Sequence, residues 1–247
     1  MHKRMSLLGD GIGHLAFAGV AGGLLLGVWP VWSALAVSVL GAVAMERLRV
    51  RGHATGDLAL ALFLYGGIAA AVVLASRSDG GTAQVLPYLF GSILTVTPGD
   101  VGIVAATGAV IVTTITVTGR ALFAVLVDEE SARVAGLPVD ALNTMLVALA
   151  AVTVVAAMRV VGVLLVAALM VLPVATARLV ARSFRGTLVV GAVVGVASVV
   201  AGLAAARAWA LTPGGSIVLS AAAVFAFTVG VTVAIGGARR AGTALPR

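Results

Sequence analysis

"DLALALFLYGGIAAAVVLA", residues 57–75, carries a charge only at its first position, Asp57. A helix crossing the hydrocarbon core of a bilayer needs about 17–25 mostly apolar residues. This run is therefore long enough to span a membrane alone. The rest of the chain resembles it. Of 247 residues 61% are hydrophobic and 10% charged, and mean hydropathy is +1.18. A soluble domain carries roughly 25% charged residues, so the bilayer must act as solvent here. Seven further segments qualify or nearly so, 11–28, 31–45, 100–118, 141–158, 160–180, 188–206 and 216–235, the second span, 31–45, being short. Turn chemistry separates them at Trp29-Pro30, Ser78-Asp79-Gly80-Gly81, Thr97-Pro98-Gly99 and Thr212-Pro213-Gly214-Gly215. "LPYLFGSILTV", residues 86–96, is too short to cross and reads as a re-entrant or interfacial helix. The expectation is an all-α polytopic transmembrane bundle of about eight spans, one membrane domain over residues 1–247.

The net charge of +7 invites a nucleic-acid reading. That reading fails, because the basic residues fall between apolar spans and not along one polar face. There is no cysteine, which removes disulfides, thiolate metal sites and Cys nucleophiles. His2, Lys3 and Arg4 before an apolar run resemble a signal peptide's start. With seven spans following, the run reads as a retained helix. Lys3 is the only lysine and follows His2, whereas a Walker A loop needs lysine directly after glycine. Any ATP-derived drive must come from another subunit.

Basic residues accumulate on cytoplasmic loops. If the first span runs outward, Lys3, Arg4, Arg47, Arg49, Arg51, Arg120, Arg133, Arg178, Arg182, Arg185, Arg239, Arg240 and Arg247 face the cytoplasm. Only Arg77, Arg159 and Arg207 then face out. Both termini are expected to be cytoplasmic, in a multi-pass membrane protein.

Most acids have ordinary places. Glu46 sits at an inner helix end, Asp57 and Asp100 at helix starts, Asp79 in an outer loop, and Asp128, Glu129, Glu130 and Asp140 in an inner loop. His2 and His53 read as solvated. Only Asp10 enters an apolar span, and His14 joins it four residues on. Residues i and i+4 share a helix face, so a carboxylate oxygen and an imidazole nitrogen converge there. That pair suits a borderline divalent cation such as zinc or manganese. Two ligands hold an ion loosely, as suits an ion that must leave, and a second copy of the chain across an axis would raise the set to four. On spacing alone another reading stands beside it, in which Asp10 caps the helix and His14 only packs.

"VDEESARVAGLPVDALN", residues 127–143, places three acids at the start of a short helical stretch, which suits the helix dipole. Its apolar members are Ala132, Val134 and Ala135, and Gly136 and Pro138 stop it. It reads either as a connecting loop or as a segment that lies on the membrane or docks a cytoplasmic partner.

At these residues the chain resembles the membrane permease subunit of bacterial ABC importers for zinc, manganese or iron(II), the ABC-3 type. "RMSLLGDGIGHLAFAGVAGG" (4–23), "YLFGSILTVTPGD" (88–100), "VGVLLVAALMVLPVATARLVAR" (161–182) and "LTPGGSIVL" (211–219) carry the likeness. The resemblance implies a permease paired with a second copy or a close relative, cytoplasmic ABC ATPases beneath it, and an extracellular metal-binding lipoprotein delivering the ion. It implies that Asp10 and His14 line the ion path. It implies that Asp128, Glu129, Glu130, Ala132 and Gly136 belong to a coupling helix, and that Pro173 breaks its span by removing a backbone hydrogen bond. Family members usually carry another apolar span ahead of the Arg-Met-Ser stretch, which here follows Met1 almost directly. They also often have polar or His positions in the third span, where this chain offers Asp57 and Tyr65.

The function expected is an ATP-driven divalent metal permease, zinc or manganese, with the metal as cargo, no permanent cofactor and no hydrolysis by this chain. Competing readings are a permease for a metal chelate such as a siderophore or corrinoid, and an ATP-independent secondary carrier. A membrane enzyme finds no nucleophile–base set.

Overall fold

The computed structural model describes residues 8–50, 56–78, 81–91 and 96–242. The Arg-Met-Ser stretch, His53, Asp79, residues 92–95 and Arg247 lie outside the described residues.

Regular structure among the described residues is helical throughout. The order is α1 (Leu8–Leu25), α2 (Pro30–Val50), α3 (Gly56–Arg77), a 3-10 turn (Gly81–Gln84), α4 (Leu86–Phe90), α5 (Pro98–Val127), α6 (Glu129–Val134), α7 (Val139–Val161), α8 (Val163–Val180), α9 (Phe184–Trp209) and α10 (Pro213–Gly242). Seven of these, α2, α3, α5 and α7 to α10, are long and apolar enough to cross a membrane. The segment read as the first span is α1, an eighth apolar helix of 18 residues not counted among the seven.

Several boundaries differ from the hydropathy reading. The second span is not short: α2 has 21 residues and continues past Glu46 and Arg47. Helix α5 has 30 residues, because Thr97 and Asp100 form a reciprocal capping box at its start and Arg120 does not stop it. The break between the fifth and sixth spans falls at Gly162, not at Arg159. Gly162 has φ +82 and ψ 153, a backbone region that essentially only glycine enters.

The chain divides into two compact units, one through Val166 and one from Ala167. In the first, α1 packs against α2, α3 and α7 and touches α4. Ile12, Ala16, Val20 and Ala21 on α1 are fully buried. Water does not drive helices together in lipid, so close van der Waals contact must do it, and small residues allow it. A Cβ on Gly19 would lie 2.6 Å from Ala34 Cα, so α1 and α2 meet backbone to backbone there. Gly91 (φ +73) ends α4 and abuts Gly162, and a Cβ on either would collide with the other's main chain. The outward faces are apolar instead, with Val110, Val112 and Val117 exposed on α5. Thr113, Thr114 and Thr118 on that helix donate their hydroxyls to the carbonyls of Ala109, Val110 and Thr114. That satisfies polar groups where lipid supplies no partner.

In the second unit Pro173 stands inside α8. Its ring lies against α9 at Gly195, whose absent Cβ would sit 3.8 Å from Pro173 Cγ. Gly202 of α9 lets the main chain of Ile217, at the start of α10, approach in the same way.

Candidate functional site

Asp10 stands in the first turn of α1, where the positive end of the helix dipole favours a carboxylate. His14 follows one turn later on the same face. Its Nε2 lies 3.5 Å from Asp10 Oδ1, with His14 13% and Asp10 35% exposed. That separation is long for a hydrogen bond. It falls within ion-pair range and also fits a shared ion, since two donors each about 2.1 Å from one cation at a tetrahedral angle stand about 3.4 Å apart. The imidazole Nδ1 is buried with no hydrogen-bond partner among the described residues. His14 is eleven residues from the end of α1 at Leu25, about 16 Å along the axis.

Neighbouring helices fix α1 at this level. Gly67 of α3 lies against the His14 main chain, and a Cβ there would come within 3.0 Å of the carbonyl carbon. Gly13, between the two donors, faces Val163 and Val154, whose Cγ1 atoms lie 2.9 and 3.9 Å from where its Cβ would be. Among the described residues no group of three or more His, Cys, Asp or Glu side chains converges. One copy of the chain thus offers a cation two side-chain donors here.

The segment around α6 forms a second constellation. Asp128 is the N-cap of α6, accepting from the amides of Glu130 (3.0 Å) and Ser131 (3.3 Å) and from the Ser131 hydroxyl. That hydroxyl, followed by the amides, holds the Asp128 carboxyl below its ordinary range. Helix α6 ends in a Schellman arrangement. Gly136 takes φ +81, Leu137 N–H donates to Ala132 O, and Gly136 N–H donates to Arg133 O, both at 3.1 Å. Ala132 is turned into the body, buried with Leu122, Val125, Val139 and Leu142, while Val134 is 87% exposed. Arg133 pairs with Asp140 at 2.8 and 3.3 Å, which raises the guanidinium above its usual value. Asn143 Nδ2 donates to Glu129 Oε1 at 2.6 Å.

The structure brings Asp10 and His14 together, and Asp128, Glu129, Glu130, Ala132 and Gly136 together, while Pro173 stands in the other compact unit. Sequence reasoning missed the burial of Glu46, 4% exposed, which with Arg47, Asp140 and Thr144 lines a cleft of about 590 Å³. It also missed Asn143, a polar residue among Asp140 and Thr144 at the start of α7 that nothing in the local pattern singled out.

The family model described as "ABC 3 transport family" matches residues 1–232. The "Probable metal transport system membrane protein" of Treponema pallidum is 31% identical over 96% of this chain and 88% of its own length. The "Manganese transport system membrane protein MntC" of Halalkalibacterium halodurans is 29% identical over 91% and 77%. The "High-affinity zinc uptake system membrane protein ZnuB" of Haemophilus influenzae is 25% identical over 92% and 87%. Among solved structures, PsaBC from Streptococcus pneumoniae in complex with Fab superposes with TM-score 0.80 and 29% identity, over 91% of this chain and 80% of that one. Likeness over nearly the whole length joins the run of apolar helices in one conclusion: this multi-pass membrane protein belongs to the ABC 3 transport family.

Proposed function

We propose that this chain is the permease subunit of an ATP-driven importer of a divalent metal ion, manganese or zinc, with Asp10 and His14 on the ion's path. The observation that carries it is the 3.5 Å approach of His14 Nε2 to Asp10 Oδ1 inside an apolar bundle. Ionisable side chains within apolar membrane helices are costly and seldom idle. Relatives named for manganese and zinc transport support the cargo. Two donors bind weakly enough for release, and a second copy of the chain supplies a further pair. ATP hydrolysis takes place on separate cytoplasmic subunits that bind around Asp128–Gly136, and an extracellular metal-binding lipoprotein delivers the ion. Both termini lie in the cytoplasm.

The test is uptake of manganese(II) and of zinc(II) by cells carrying Asp10→Ala or His14→Ala at normal membrane abundance. Each substitution abolishes uptake of the transported ion. Full uptake in both variants removes the site.

A further inference from the structure

The segment around α6 and the paired donors on α1 lie far apart in sequence, yet both rest on α7. At its inner end, α7 holds α6 by two side-chain links, Asn143 to Glu129 at 2.6 Å and Asp140 to Arg133 at 2.8 Å. Buried Ala132 seats the same short helix against Val139 and Leu142 of α7 and Leu122 and Val125 of α5. One face of α7 then runs outward through Asn143, Val147, Ala151, Val154 and Met158, all buried. Their spacing of three and four keeps them on a single stripe. Val154 on this stripe faces α1 at Gly13, the residue before His14, its Cγ1 3.9 Å from where a Cβ on that glycine would be, and α1 packs against α7. From Asn143 to Val154 is about 16 Å of unbroken helix.

We infer that α7 is the lever through which α6 acts on the metal donors, and that Asn143, with the Arg133–Asp140 pair, positions α6 so that the two helices move as one body. This rests on the proposed reading of α6 as the ATPase contact. The Asn143–Glu129 link carries most of the load. It is short and partly buried with one charged partner, and such bonds are the stronger class. The Arg133–Asp140 pair is more than half exposed on both sides, so it aligns the helix and adds little strength.

The experiment reconstitutes the permease with its ATPase subunits in vesicles and measures manganese(II), then zinc(II), carried per ATP hydrolysed. Asn143→Leu keeps the side chain's bulk and removes the donor. The ATPase stays bound and hydrolyses ATP, while ions carried per ATP fall roughly tenfold, the scale of one hydrogen bond to a charged group. An unchanged ratio overturns the inference. Should Asn143→Leu fail to accumulate, the exposed pair decides. Arg133→Asp lowers the ratio and the double exchange Arg133→Asp with Asp140→Arg restores it, whereas equal ratios in the single and double variants overturn the inference. Val134→Asp tests the underlying reading separately. If it leaves ATPase co-purification intact, α6 is not the contact and the lever falls with that reading. Lost co-purification in Val134→Asp, beside an unchanged ratio in Asn143→Leu, leaves the contact standing and removes only the lever.

Discussion

Gly67 of α3 lies flush against the main chain of His14, its missing Cβ 3.0 Å from the His14 carbonyl carbon and 3.1 Å from the carbonyl oxygen. One residue earlier, a Cβ on Gly66 would have nothing within 4 Å. Gly67→Ala must push α3 off α1 at the level of the donor pair, at about 1–3 kcal/mol for overpacking. Gly66→Ala loses only backbone freedom in the unfolded chain and gains up to about 1 kcal/mol as a better helix former. Thermal unfolding in detergent therefore moves in opposite directions for the two. Equal shifts would contradict the packing described.

Gly136 meets no neighbour within 4 Å but holds φ +81. Gly136→Ala consequently costs backbone strain alone, about 1–2 kcal/mol, and Gly136→Asn costs less because Asn tolerates that conformation. Amide exchange at Gly136 and Leu137 should accelerate in the alanine variant and stay slower in the asparagine one.

The Asp128 carboxyl titrates below its ordinary range because the Ser131 hydroxyl and two amides hold the anion. The folded value lies under the unfolded one. Its contribution to α6 is therefore complete above the ordinary carboxylate range and disappears as pH falls through the lowered value. The protection factors of the Glu130 and Ser131 amides, with the intrinsic pH dependence of exchange divided out, should fall on acidification across that range in the parent protein. Asp128→Asn keeps a capping oxygen without a titrating charge, so its protection factors should stay constant across that range.

Ala132 and Val134 sit two residues apart and face opposite ways, 4% and 87% exposed. Ala132→Leu overfills the cluster beneath α6 and costs about 1–3 kcal/mol. Val134→Ala changes stability by under about 0.5 kcal/mol, as exposed positions do. The comparison is again one of thermal unfolding. A large loss at Val134 would mean that α6 is seated the other way round.

Much of this architecture was legible because hydropathy marks what lipid tolerates, and each apolar segment became a helix. Helix ends were less legible, since they obey local chemistry. Arg159 was read as a span limit, but a single charge does not end a helix, and the backbone turned at Gly162 instead. Arg120 likewise hid the true length of α5. Asp10 and His14 could be paired from spacing alone, because helix geometry fixes neighbours four residues apart. The Asn143–Glu129 bond spans fourteen residues across a turn, and no local pattern encodes it. The burial of Glu46 depends on how α7 passes the end of α2, which only the folded chain decides.

The abutment of Gly91 and Gly162 has a consequence for how this molecule tolerates change over generations. Even a methyl group exceeds the gap between the two chains there, and the positive-φ backbone at each position penalises it again. Both positions are closed to every other genetically encoded side chain, while the greasy flanks a few residues away are free to drift. Survival screens of randomised libraries should return these two sites as fixed points in a shifting background.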